Sequence, residues 1–263
     1  MLGAIIGDIA GSIYEFDPIK TKNFELMADK CFVTDDTIMT LAVAQAILTM
    51  NDTQDDLSQK AIEWMQYLGR KYPDCGYGDY FKQWLKDTNP IPYNSFGNGS
   101  AMRVSPCALA ADSLEEALDL AEKVTIITHN HPEGLIGAKA TVAAIYLAKS
   151  GKSLNEIQAY IHENYYRMDF TIDAIREDYH FSEICQETVP QALMCVFESV
   201  DFCDAIRNAV SLGGDSDTLA AIAGGFAQAY YGVPKDLGER AKEFLDDSQL
   251  EILNAFEATY QNR

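Results

Sequence analysis

The sequence predicts an all-α fold, a single compact multi-helix domain over residues 1–263, and three observations carry that expectation. Apolar residues recur at i, i+3, i+4 and i+7 along most of the chain, while the strict alternation of a half-buried strand is hard to find. No repeat of solenoid length and no low-complexity tract divides the chain. A hydrophobic share of 48% over 263 residues is ordinary for one large globular domain.

The first expected helix carries Gly3, Gly7 and Gly11 at every fourth residue, a spacing that lets another helix approach closely. Asp8, Ser12 and Glu15 fall at i, i+4 and i+7, so a helix continuing that far presents Glu15 near its end. Residues 38–48 and 219–229 are apolar or small nearly all round, as expected of two central helices enclosed on every side. Between them run amphipathic stripes, Leu57, Ala61, Trp64, Met65 and Leu68 in one and Leu114, Ala117, Leu118, Ala121 and Val124 in another. Tyr72-Pro73, Asn89-Pro90, His131-Pro132 and Gly232-Val233-Pro234 are each expected to end a helical stretch, because the residue before proline is pushed out of the α region.

Composition narrows the function. Lys+Arg number 20 against Asp+Glu 40, a formal charge of −20, and such a surface repels nucleic acid. The six cysteines include no C-x-x-C pair, which fits reduced core thiols in a cytoplasmic protein better than a disulfide framework or a zinc ribbon. Met1 to Ile13 has no basic leader and already carries Asp8, against a secretory signal. The longest apolar stretch, residues 38–50, falls short of the roughly 20 residues that span a bilayer.

The chemistry is concentrated where acids meet the two central helices. Thr34-Asp35-Asp36-Thr37 immediately precedes the first and Asp215-Ser216-Asp217-Thr218 the second. Helix capping explains one such cluster, since Asp, Ser and Thr are favoured there. Capping needs one side chain, whereas four carboxylates at the mouths of two interior helices repel one another severely without a counterion. Neighbouring helical residues point about 100° apart, so Asp35 and Asp36 can each face a different cation. Asp215 and Asp217, if extended, point to one side. With only hard oxygen donors, Mg²⁺ is the expected ion, Mn²⁺ the variant, and two ions suit the arrangement better than one.

Ser95-Phe96-Gly97-Asn98-Gly99-Ser100-Ala101-Met102-Arg103 reads as a glycine-rich loop entering a helix, suited to phosphate or ribose, with Arg103 nearby. It holds no G-x-S-x-G elbow. His129 and His131 lack a third soft ligand at useful spacing, so zinc is not expected there.

Taken together these segments resemble the ADP-ribosylglycohydrolase family over nearly the whole chain. The matching pieces stand in the family's order: Gly7-Asp8 through Tyr14-Glu15, Thr34-Asp35-Asp36-Thr37, residues 95–103, Thr128-His129, Glu187-Thr188-Val189-Pro190, and Gly213-Gly214-Asp215-Ser216-Asp217-Thr218. The resemblance implies an all-α fold around a dinuclear Mg²⁺ or Mn²⁺ centre ligated by Thr34, Asp35, Asp36, Asp215, Asp217 and Thr218. It implies that the ribose diol of ADP-ribose lies against the metals, that Ser95, Phe96, Gly97, Asn98 and Gly99 hold the phosphates beside Ser100, Met102 and Arg103, and that His129 lines the same cleft. Glu15, Asp35 and Asp36 compete to activate water, with Glu15 and Asp36 kept as joint candidates. The expected reaction removes ADP-ribose from a modified protein or small molecule. The rivals are a two-metal phosphohydrolase and a silent relative that only binds ADP-ribose.

Overall fold

A helix that is apolar or small on all sides needs neighbours on all sides, and both helices of that kind have them. The computed structural model describes residues 1–260, in which the chain folds as α1 (Leu2–Gly11), α2 (Asp35–Thr49), α3 (Leu57–Lys71), α4 (Asp79–Lys86), α5 (Gly99–Met102), α6 (Ser105–Ala110), α7 (Leu114–Thr125), α8 (Pro132–Lys149), α9 (Leu154–Asn164), α10 (Ile172–Ile175), α11 (Cys185–Phe197), α12 (Phe202–Leu212), α13 (Ser216–Tyr231), α14 (Lys235–Lys242) and α15 (Asp247–Tyr260). Helix α13 is buried from Ser216 through Ala227, enclosed by α1, α8, α11 and α12. Helix α2 is covered by α1, α3, α6 and α15. One continuous apolar cluster runs from Met1 to Phe256. Among the described residues there is no strand, only an antiparallel bridge between Gly97 and Ile184.

Glycine spacing sets the central contact. A Cβ on Gly7 would lie 1.9 Å from the Ala220 carbonyl oxygen, and one on Gly224 would lie 2.1 Å from that of Gly3. Backbone therefore touches backbone, and α1 runs antiparallel to α13 with Gly11 against Ser216 and Asp217. That contact delivers the end of α1 to the acidic start of α13.

Three local expectations are corrected. Helix α1 stops at Gly11, where Ser12 caps it and its N–H donates to Asp8 O at 2.9 Å. Glu15 therefore sits in the turn that follows, and Asp8, Ser12 and Glu15 do not share a helix face. Asp217 is helical, in the first turn of α13, with Asp215 at the N-cap, so the two are not an extended pair. His131-Pro132 opens α8 instead of ending a helix: proline's missing N–H costs nothing at a first helical position, and the His131 ring nitrogen Nδ1 accepts from Glu133 N at 3.1 Å.

The other expected breaks hold, α3 ending at Lys71, α4 at Lys86 and α13 at Tyr231 before Gly232 with φ +78°, whereas Pro190 lies inside α11. All six cysteines are free thiols. No helix among the described residues is long and apolar enough to cross a membrane.

Candidate active site

The acids converge where α1, α2 and α13 meet. Thr34 is the N-cap of α2, its hydroxyl accepting from Asp36 N at 3.3 Å. The same hydroxyl donates to Asp8 Oδ1 at 2.6 Å, while Asp8 Oδ2 accepts from Thr34 N and Thr37 N, each at 3.1 Å. A buried carboxylate of α1 thus caps α2 from outside, at the positive end of that helix's dipole. Burial nevertheless raises the Asp8 carboxyl to about 6, against the pull of those hydrogen bonds.

Asp35 and Asp36 occupy the first turn of α2, and the Asp35 N–H is held by Cys75 O at 2.7 Å. Across the gap, Thr218 donates to Asp36 Oδ2 at 3.1 Å, and Asn98 Nδ2 donates to Asp215 Oδ2 at 2.6 Å. One carboxylate oxygen each of Glu15, Asp215 and Asp217 lies within 4.8 Å of the others. Burial first, and then the charge of Asp217, holds both Asp35 and Asp36 well above the usual carboxylate range; burial and then Asp215 do the same to Asp217. Glu15, half-buried, is pushed to about 8 by burial and then by Asp217, and Asp215 to about 6 by burial.

This is a site that fits divalent cations. Asp36 Oδ1 and Asp217 Oδ1 are buried carboxylate oxygens of this centre with no hydrogen-bond partner, a state that a bound cation would relieve. No Lys, Arg or His among the described residues forms an ion pair with Asp8, Glu15, Asp35, Asp36, Asp215 or Asp217. The donors are all carboxylate or hydroxyl oxygen, which suits Mg²⁺ or Mn²⁺.

The acids form one wall of a cleft of about 530 Å³. Of the residues singled out in the sequence, Glu15, Asp35, Asp36, Ser95, Gly97, Asn98, Gly99, Met102, Arg103, His129, Asp215, Asp217 and Thr218 line it. Three others do not. Thr34 is buried beneath the acids, bound to Asp8. Ser100 is turned inward, donating to Gly97 O at 3.0 Å. The Phe96 ring packs beside His131 with centroids 5.1 Å apart.

The loop at 95–99 is built differently from a free anion cradle. Gly97 N donates to Ser95 Oγ at 3.1 Å and Asn98 N to Glu183 O at 2.7 Å, so two of its N–H groups are engaged internally. Helix α5 beyond it is a single turn. His129 is held beside it. Thr128 Oγ1 accepts from Arg103 Nη2 at 2.7 Å and shares a hydrogen bond of 2.7 Å with His129 Nδ1. The other ring nitrogen, Nε2, faces Gly97 and Gly99. Burial and then the Arg103 charge keep the ring neutral, its pKa well below the usual imidazole value.

Sequence reasoning missed Asp8 as part of the centre, although it is the one carboxylate inside an otherwise apolar helix. It also missed the far wall of the cleft, Tyr77, Tyr80, Phe81 and Tyr93, and the exposed Phe16 and Phe181 at the mouth, whose rings stack 6.1 Å apart. No local motif marks them.

A family model described as ADP-ribosylglycohydrolase matches residues 1–262. The chain is similar to ADP-ribosylhydrolase ARH3 of Mus musculus, 25% identical with 89% of this chain and 83% of that protein covered. It is similar to ADP-ribosylarginine hydrolase Tri1 of Pseudomonas putida (strain GB-1), 28% identical over 89% of this chain and 70% of that one. It also resembles ADP-ribosyl-[dinitrogen reductase] glycohydrolase of Rhodospirillum rubrum, 27% identical over 76% of this chain and 69% of that one. A solved structure titled "ADP-ribosylglycohydrolase-related protein complex" shares the fold with a TM-score of 0.72 and 22% identity, covering 99% of this chain and 96% of that one.

Proposed function

The chain belongs to the ADP-ribosylglycohydrolase family, and we propose that it is a metal-dependent hydrolase that frees ADP-ribose from a modified protein side chain or small molecule. The observation that carries this reading is the meeting of Asp35 and Asp36 with Glu15, Asp215 and Asp217 on one wall of a cleft that Ser95, Gly97, Asn98, Gly99 and His129 also line. The relatives named above are hydrolases of ADP-ribosyl linkages by their own names.

Asp35 and Asp36 from α2, with Asp215, Asp217 and Thr218 from α13, would hold two Mg²⁺ or Mn²⁺ ions. Such ions, when bound, supply polarisation of ribose hydroxyls and a fixed positive charge. Thr34, buried and bonded to Asp8, serves by orienting Asp35 and Asp36.

The chain's own groups account for the rest. The reaction joins water to the anomeric carbon as the bond to the acceptor breaks, and the acceptor leaves with a proton. Glu15 is the preferred residue to orient that water and take its proton: it is half-buried at the cleft with a carboxylate oxygen within 4.8 Å of those of Asp215 and Asp217, whereas Asp36 Oδ2 already accepts from Thr218. Carboxylates around the anomeric carbon favour the positive charge of an oxocarbenium-like transition state. His129 Nε2 faces the loop where the phosphates would lie, and a proton on that nitrogen would donate to them, offsetting the repulsion expected from a chain of charge −20.

The test is release of free ADP-ribose from arginine-linked, serine-linked and O-acetyl-ADP-ribose substrates, with a simple phosphomonoester alongside. Release from at least one ADP-ribosyl substrate supports the reading and names its acceptor. Phosphate release alone favours a phosphohydrolase, and ADP-ribose binding without turnover a silent relative.

A further inference from the structure

We propose that Lys20 is a positioning residue for the acidic centre, its ammonium group fixing Glu15 against Asp215 and Asp217; the inference rests on the hydrolase reading above. Lys20 Nζ donates to three backbone carbonyls from distant parts of the chain, Arg176 O at 2.7 Å, Tyr179 O at 2.6 Å and Leu212 O. An ammonium has three protons, and each has an acceptor. No carboxylate forms an ion pair with it among the described residues.

The three carbonyls bracket the turn that carries Asp215. Leu212 ends α12, and Gly213 and Gly214 follow with φ +70° and +75°, a backbone that glycine alone adopts freely. A Cβ on Gly213 would stand 3.1 Å from Pro18 Cβ and 3.3 Å from Lys20 Nζ. One on Gly214 would stand 2.9 Å from His180 O. The turn is thus pressed between two segments, the strap from Glu15 to Lys20 on one side and residues 179–180 on the other.

The near end of the strap is held against the same junction, Ser216 Oγ standing 3.2 Å from both Tyr14 O and Gly214 O and able to donate to either. Glu15 hangs between two anchors, both fastened to the α12–α13 junction that bears Asp215 and Asp217. Releasing the Lys20 anchor leaves the strap fastened at Tyr14 only, and the 4.8 Å grouping of the three carboxylates is no longer enforced. Lysine suits the task better than arginine, whose flat guanidinium cannot meet three carbonyls converging on one point.

The experiment compares wild type with Lys20→Met, Lys20→Arg and Arg207→Met. Arg207 is the control: its Nη1 donates to Lys22 O at 2.7 Å and Phe24 O at 2.6 Å, clipping the same loop beyond the strap. Mg²⁺ affinity is measured by titration calorimetry, and kcat and KM are measured on a substrate that the wild type turns over, after circular dichroism has confirmed the helical fold. Lys20→Met is expected to weaken Mg²⁺ binding and lower kcat, each by about tenfold or more, with KM altered less than about threefold. Lys20→Arg keeps the charge and, if the methionine variant fails to fold, supplies the same comparison with the same expected direction. Arg207→Met should lose thermal stability yet stay within about twofold on both readouts. Folded Lys20 variants that match wild type, or an Arg207→Met that loses as much as they do, would overturn the proposal. A wild type that binds Mg²⁺ but hydrolyses no ADP-ribosyl substrate would instead overturn the functional reading, with the Lys20 effect on Mg²⁺ affinity still measurable.

Discussion

Thr218 Oγ1 donates to Asp36 Oδ2 at 3.1 Å, joining the first turns of α2 and α13 across 182 residues of sequence. The bond satisfies one oxygen of Asp36 and leaves Oδ1 buried without a partner, as Asp217 Oδ1 also is. Two helices whose apolar bodies bury easily are thereby made to hold like charges mouth to mouth. Such a junction is costly as bare carboxylates and favourable around cations.

Replacing Asp36 or Asp217 by Asn removes one of those charges with little change of shape. Each variant should lose hydrolysis by about a hundredfold or more and lose its stabilisation by Mg²⁺. In EDTA, each should melt no lower than wild type, because its amide has no charge to bury. Thermal melts with and without Mg²⁺, beside turnover, check both halves.

The acids also set a pH dependence. Glu15 is raised to about 8, Asp215 to about 6, and Asp35, Asp36 and Asp217 well above their ordinary values, so the folded chain binds these protons more tightly than the unfolded one. Stability from a carboxyl shifted upward is full below its unfolded pKa, about 4, and is lost as pH rises to the folded value. Metal-free protein should therefore lose melting temperature between about pH 4 and pH 8. Protons and Mg²⁺ compete for the same oxygens, so the gain on adding Mg²⁺ should grow over that window, reaching about 2.7 kcal/mol at a hundred times the dissociation constant. A gain that shrinks with rising pH would contradict the assignment.

The contact of α1 with α13 leaves no room at Gly7. Gly7→Ala puts a Cβ 1.9 Å from the Ala220 carbonyl oxygen, and relief requires the two backbones to separate. A loss of about 3 kcal/mol or more is expected in denaturant unfolding. Gly78→Ala, where nothing lies within 4 Å of the added carbon and φ is −61°, should stay within about 0.5 kcal/mol.

Asp8 reaches the cleft only through other residues. Asp8→Asn keeps one acceptor oxygen but places an amide opposite one of the donors Thr34 N, Thr37 N and Thr34 Oγ1. Misplacing Thr34 tilts Asp35 and Asp36, and kcat and Mg²⁺ affinity should fall by about 10- to 100-fold. Circular dichroism separates this from a loss of fold.

Much of this centre is legible in the sequence because its signals are local. All-round apolar runs at 38–48 and 219–229 announce enclosed helices, and acids at their starts announce a shared site. The glycine period in α1 shows its packing face in the same way. What stays hidden depends on where chain segments meet. Glu15 lies beyond the end of α1 because Ser12 turns its hydroxyl back onto Ile9 O at 2.8 Å, a competition that periodicity does not register. Asn98 reads as a loop contact for substrate, yet its amide supports Asp215, 117 residues away. Tyr77, Phe81 and Phe181 enter the cleft from segments with no motif of their own.

Turnover by wild type stripped with EDTA and then resupplied with Mg²⁺, read as free ADP-ribose released from a substrate that the untreated protein hydrolyses, decides whether the acids work through a cation. Release should stop on stripping and return on resupply, with no return for Asp217→Asn. Undiminished release in EDTA, or full recovery in that variant, would contradict the metal-dependent reading.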